Sequence, residues 1–302
     1  MGYKYYGYTG KSRRPSPKEI ARKLGVDEKT VRLRTRKMER DGFIQYYQAI
    51  PNPSLFGRPL LFTYGFKAQN VLGKHSLLRL FKETDGIIDI AEFLGEMCGP
   101  TIAASSEAEA ERAVQRIGQQ AGVPGFRFMP PRPFPTAQAS LDKTDWGIMR
   151  ALRYDALRHT EEIAGELGIT YRMTEYRISR LLETQSLFIR AILNSKDPKG
   201  ILFYSLMLEL EGATQDQLKQ KILESFAERT WWTLTPPGPT MVLNLFATSI
   251  GETEDTLLEV SSRPGVRNAS VIIFTGWVEP TRPNWIDRIL EERIAAKQMQ
   301  LA

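Results

Sequence analysis

The sequence predicts an α+β fold in which two helix-turn-helix units alternate with two βαββαβ modules. Three observations predict it. The chain has 302 residues, about twice an ordinary domain. A proline-rich stretch, Pro130-Pro131-Arg132-Pro133-Phe134-Pro135 followed by Thr136-Ala137-Gln138-Ala139-Ser140, divides it near the midpoint and reads as a linker. The two halves repeat one another: Lys18-Glu19-Ile20-Ala21-Arg22-Lys23-Leu24-Gly25-Val26 returns 143 positions later as Glu161-Glu162-Ile163-Ala164-Gly165-Glu166-Leu167-Gly168-Ile169. Such self-similarity marks an internal duplication.

Each repeat reads as a short amphipathic helix closed by a glycine suited to a left-handed turn, Gly25 or Gly168,. A second helix follows over Glu28 to Arg40 and over Tyr171 to Glu183, with Asp27 and Thr170 as N-caps,. Thr160 reads as the cap of the helix opening at Glu161, and His75 as a helix-start residue. Helix, short turn, helix is the helix-turn-helix motif. Asp41-Gly42 ends the first copy, and Phe43 to Tyr47 reads as a strand or wing; Leu187 to Ala191 is its counterpart.

The grammar then changes. Leu60 to Phe66 and Ile201 to Met207 are apolar, aromatic-rich strands,. Helical patterns follow at 76–84 and 215–228, strands at 87–94 with 97–105 and at 231–235 with 240–248, and helices at 107–120 and 252–262. Last strands open at Gly122 and Pro264. The order is βαββαβ, the ferredoxin-like plan. The expected domains are a basic winged helix-turn-helix at 1–57, a ferredoxin-like module at 58–130, a linker at 131–140, a second helix-turn-helix at 141–196, a second module at 197–282, and a C-terminal helix at 283–302. That helix gathers Trp285, Ile286, Ile289, Leu290 and Ile294 on one face. Docking on its own ferredoxin-like module is expected, with cover for the first helix-turn-helix as the alternative.

Charge singles out the first unit. Lysine and arginine outnumber aspartate and glutamate by 41 to 35. Residues 1–57 hold 13 basic and 5 acidic residues, and the rest of the chain 28 and 30. The positive surplus therefore sits in the first fifth, the footprint of a polyanion binder. A helical wheel at 100° per residue puts Val31, Thr35 and Met38 on the buried stripe of the second helix. Lys29, Arg32, Arg36 and Arg40 line the opposite face, with Thr30, Leu33 and Lys37 beside or among them. Such a face fits the major groove of double-stranded DNA. Lys11, Arg13 and Arg14, interleaved with Tyr3, Tyr5, Tyr6 and Tyr8, read as an arm along the DNA backbone or as a loose terminus,. The second copy keeps the core positions Thr174, Ile178 and Leu181, but its outer face reads Arg172, Glu175, Ser179 and Glu183. Carboxylates facing phosphates are repelled, so this copy is expected not to read DNA.

Other classes are disfavoured. One cysteine, Cys98, excludes a disulfide framework,; it reads as a small buried hydrophobe. His75 and His159 stand far from it and from each other, with no metal-ligand spacing,. The longest apolar run, Ile201 to Leu208, is too short to span a bilayer,. The start Met-Gly-Tyr-Lys-Tyr-Tyr has no signal-peptide core, so a cytoplasmic protein is expected. No phosphate-binding glycine loop and no acid-base pair appears, and the expectation is a protein that is not an enzyme and needs no cofactor or metal.

Leu141-Asp142-Lys143-Thr144-Asp145-Trp146-Gly147-Ile148-Met149-Arg150-Ala151-Leu152 resembles the opening helix of the Lrp/AsnC (leucine-responsive, feast/famine) regulators. Ile20-Ala21, Leu24-Gly25-Val26, Thr30-Val31, Arg34, Met38-Glu39 and Asp41-Gly42-Phe43-Ile44 resemble the helix-turn-helix that follows in that family. The resemblance implies two fused units, of which the first lacks the opening helix. It also implies a sequence-specific DNA-binding transcriptional regulator, its modules pairing sheet against sheet, that acts as a homo-oligomer of two chains. The family binds amino-acid effectors near a Gly and Asp at a strand start; Gly95-Glu96-Met97-Cys98-Gly99 and Pro237-Gly238-Pro239-Thr240-Met241 lack the Asp. A small-molecule effector is left without an identity or ligand residues. Phe93 and Trp231-Trp232 read as core or as pocket lining. Two alternatives stand beside this reading: a protein-partner or effector-sensing module with weak DNA contact, and a siroheme-decarboxylase-like enzyme. The latter has the same tandem plan, but it would require a His in the second-strand region and a Tyr-Asn-x-Trp-Phe motif, where this chain has Ile87 to Phe93 and Trp231-Trp232-Thr233-Leu234.

Overall fold

The computed structural model describes residues 16–128, 131–137, 140–194, 197, 199–212, 215–234 and 238–295. Lys11, Arg13 and Arg14 lie outside the described residues. The first unit comprises α1 (Pro17–Leu24), α2 (Glu28–Arg40) and β1 (Ile44–Pro51). The first module follows as β2 (Leu60–Lys67), α3 (Val71–Glu83), β3 (Ile87–Phe93), β4 (Met97–Ala104), α4 (Glu107–Ala121) and β5 (Gly125–Arg127), and a short β6 (Arg132–Pro133) returns to pair with β2. The second unit is α5 (Lys143–Leu152), α6 (Thr160–Leu167), α7 (Tyr171–Glu183) and β7 (Leu187–Leu193). The second module is β8 (Leu202–Leu210), α8 (Gln215–Ser225), β9 (Thr230–Leu234), β10 (Thr240–Ala247), α9 (Ile250–Ser261) and β11 (Val266–Val278), and α10 (Trp285–Ala295) closes the described chain.

The duplication is written into the turns. Gly25 and Gly168, 143 positions apart, close α1 and α6 with φ of 64° and 65°, a conformation glycine adopts without a Cβ penalty. Asp27 and Thr170 cap α2 and α7, and Ser106 and Ser249 cap α4 and α9, at the same spacing. Buried Lys74 of α3 donates to Phe93 O at 2.8 Å, and buried Lys219 of α8 donates to Gly238 O at 2.6 Å. Each clamps its helix to the carbonyl of a hairpin turn.

Both modules have the antiparallel strand order of a ferredoxin-like sheet, β5-β2-β4-β3 and β11-β8-β10-β9. Side chains alternate across each strand. Phe62, Tyr64 and Phe66 face α3 and α4, and Tyr204, Leu206, Leu208 and Leu210 face α8 and α9. The opposite faces meet: Phe93 and Phe274 cluster with Phe203, and Phe128 and Met207 pack on Val242. The sheets pack face to face, and β11 stitches them into one nine-stranded sheet. Its first part pairs with β8 from Val266↔Leu210 to Ile273↔Tyr204, and its last part pairs with β3 from Phe274↔Phe93 to Val278↔Ile90.

Several expectations are corrected. The strand expected to open at Pro264 runs thirteen residues, because it serves two sheets. Asn70 caps α3 and places His75 inside it. Thr160 is the first residue of α6 and its hydroxyl donates to Glu175; His159 holds the cap position without a side-chain bond. The linker is docked: Phe134 is buried and its N–H donates to Pro59 O at 2.7 Å.

The C-terminal helix does not dock on its own module. It packs on α5, Trp285 Nε1 donates to Ile87 O of the first module at 2.9 Å, and Arg288 pairs with Asp85. Trp285, Ile286 and Leu290 thereby join the largest apolar cluster, with Ile148, Met149, Leu152, Ile163, Ile178 and Leu181 of the second unit. The two wings pair with each other, β1 with β7, from Ile44↔Leu193 to Pro51↔Leu187.

Candidate nucleic-acid interface

Asp27 starts α2 by accepting the Thr30 N–H and hydroxyl, both at 2.7 Å. These bonds, the hydroxyl's first, hold its carboxyl below the ordinary value. Val31 turns inward and is buried, which aims the opposite face at solvent. Lys29, Arg32, Leu33, Arg36, Lys37 and Arg40 are all exposed there, and Arg34, which the wheel did not single out, is exposed beside them; Thr30 is half-buried. Arg32 leans on Glu28 and Arg40 on Asp41, in exposed pairs of a kind worth at most about 1 kcal/mol. Lys29, Arg34, Arg36 and Lys37 have no ion pair among the described residues.

The second recognition helix uses its cations differently. Arg177 bonds Asp142 at 2.8 Å and Asp145 at 2.9 Å, and Arg180 bonds Asp145 at 2.5 Å. Asp145 is fully buried, and it completes a capping box with Asp142 at the start of α5,. Burial raises the Asp142 pKa, but the Asp145 N–H and Arg177 outweigh it and hold the carboxyl below its ordinary value. Arg158 is tied to Glu162 and Glu166, and Arg150 to Glu166 and Glu291. The exposed positions left on α7 include Tyr171, Arg172, Met173 and Tyr176. Sequence reasoning missed the roles of Arg177 and Arg180. The signal was present, since Asp142 caps and Asp145 belongs to the opening helix α5, which the sequence singles out.

Among the described residues, no such helix precedes the first unit. Ile163 and Leu181 of the second copy are buried under α5. Their counterparts Ile20 and Met38 are half-buried and exposed, and Leu24 is 64% exposed. Ala21 and Val31 are buried but belong to none of the large apolar clusters.

Between the two sheets lies a cavity of about 30 Å³, lined among others by Thr63, Thr101, Ser205 and Asn244 and by the aromatic Phe93 and Trp277. Ser205 Oγ donates to Asn244 Oδ1 at 2.6 Å, and the buried Asn244 Nδ2 has no partner among the described residues. Cys98 lines it as well, with burial pushing its thiol up to about 12. The side chains of Trp231 and Trp232 lie outside the described residues.

Residues 11–45 match the family described as winged helix-turn-helix DNA-binding. No curated protein matches the sequence. Among solved structures, the chain is similar end to end to the siroheme decarboxylase NirDL in complex with an iron-uroporphyrin III analogue, at 13% identity, TM-score 0.55, and 97% of each chain covered. A second structure of that decarboxylase gives 12% identity, TM-score 0.54 and 96% of each chain. The expectation of a protein that is not an enzyme is overturned by these matches. AsnC of E. coli is similar at 17% identity and TM-score 0.37, covering 45% of this chain and 92% of its own. A winged helix-turn-helix of the DNA-binding kind stands at the start of the chain, over residues 11–45.

Proposed function

We propose that the chain is a sequence-specific DNA-binding transcriptional regulator that reads the major groove through α2. The observation that carries this is the contrast between the two recognition helices. On α2 the cations Lys29, Arg36 and Lys37 are exposed and unpaired among the described residues, whereas on α7 Arg177 and Arg180 are spent on Asp142 and Asp145. Free cations on an exposed helix face repel one another, and phosphates or guanine edges relieve that repulsion. The wing is engaged with its sister wing, so base reading falls to α2. Each chain then offers one reading head, and a palindromic operator takes two chains with half-sites about 34 Å apart or a multiple of that. The face-to-face modules hold the halves together. Equilibrium binding of the intact chain to duplex DNA tests the reading: log affinity falls linearly with log salt, by about 0.9 for each phosphate neutralised. Affinity indifferent to salt contradicts it.

A second reading is favoured by the end-to-end likeness to NirDL: the paired modules act on a tetrapyrrole of the siroheme class. Mixing with iron-uroporphyrin III then produces a shifted Soret band, and an unchanged spectrum contradicts it. The two readings use different parts of the chain and are compatible.

A further inference from the structure

Leu33 stands in the middle of the cationic face of α2. It lies at about 200° from Val31 on the helical wheel, with Arg32 and Arg36 to one side and Lys37 to the other, and it is 56% exposed. It belongs to none of the apolar clusters of the protein. As the sixth residue of α2, it sits in the N-terminal half of the recognition helix, the part that approaches base edges in helix-turn-helix complexes. An aliphatic side chain has no hydrogen bond to offer a base. The apolar group that base edges present in the major groove is the C5 methyl of thymine.

The neighbours narrow the role further. Arg32 is drawn toward Glu28, and the Thr30 hydroxyl donates to Asp27, so these two neighbours of Leu33 are engaged along the helix. The exposed cations Lys29, Arg36 and Lys37 suit phosphates or guanine edges, not a methyl group,. We infer that Leu33 specifies a thymine in each half-site, by packing against its C5 methyl. The inference rests on the DNA-reading function proposed above.

Replacing thymine by uracil removes that methyl and leaves every hydrogen-bonding group in place. The experiment selects duplexes from random DNA with the intact chain, then substitutes uracil for each thymine of the selected site in turn. At one thymine per half-site, uracil weakens binding by about fourfold, the equivalent of the ~0.8 kcal/mol of one buried methyl. Leu33→Ala loses a similar factor on the thymine duplex, and the uracil substitution then costs it nothing more. Alanine favours helix and Leu33 is exposed, so the variant keeps its fold, which circular dichroism verifies. Overturning results are uracil tolerated at every position, or a uracil penalty of the same size in Leu33→Ala. An intact chain that selects no duplex is a different failure: it removes the DNA-reading function itself, and the thymine contact with it.

Discussion

Asp145 shows how one carboxylate decides what a whole helix can do. It is fully buried, accepts from Arg177 and Arg180, and shares a capping box with Asp142. Removing its charge leaves two guanidinium groups without their buried partner. Asp145→Asn should therefore cost about 3–5 kcal/mol, read as a lowered urea midpoint. Acid acts on the same cluster. Asp142 and Glu166 have depressed folded pKa values, burial being outweighed by the Asp145 N–H and Arg177 for Asp142, and the Arg158 hydrogen bond leading for Glu166. Their stabilisation is complete above the ordinary carboxylate range and is lost as pH falls through the depressed values. The exposure of Lys29, Arg32, Arg36 and Arg40 was legible from the sequence, since a wheel anchored on Val31 turns them outward, though it did not single out Arg34,. The locked cations were not, because a wheel cannot show that Arg177 meets an acid 35 positions earlier. Nor could it show that Lys74 and Lys219 would be buried against turn carbonyls.

At the scale of elements, the two helix-turn-helix units share backbone geometry and differ in what covers them. Local signals placed α2 and α7 to the residue, because Asp27, Thr170, Gly25 and Gly168 act within one turn of the chain. Where the competing cap was non-local, as with Thr160 engaged by Glu175, the sequence misplaced the start. The second unit buries Ile148, Met149, Ile163, Ile178 and Leu181 in one core with α10. The first has no opening helix among the described residues, and Leu24 and Met38 stay exposed. Local opening costs less where fewer apolar contacts are broken. Native-state hydrogen exchange should therefore find the amides of α1 and α2 opening at lower free energy than those of α6 and α7. Equal protection in both units would show that the first has a cover of comparable worth.

Across the whole molecule, the duplication was readable and the assembly was not. Periodicity exposes a repeat of 143 positions, but the crossing of β11 from one sheet to the other, the wing pairing of β1 with β7 and the docking of α10 on α5 are pairings between distant segments. These contacts close the two halves into one body. Within it, the positive charge is gathered on the first helix-turn-helix unit, the proposed reading head. The most direct test of that head is equilibrium binding of a selected duplex by the intact chain, by Arg32→Glu with Arg36→Glu, and by Arg172→Glu on the outer face of α7. Binding should be abolished in the double variant and unchanged in Arg172→Glu. Retention by the double variant, or loss in Arg172→Glu, would contradict reading by the first helix-turn-helix.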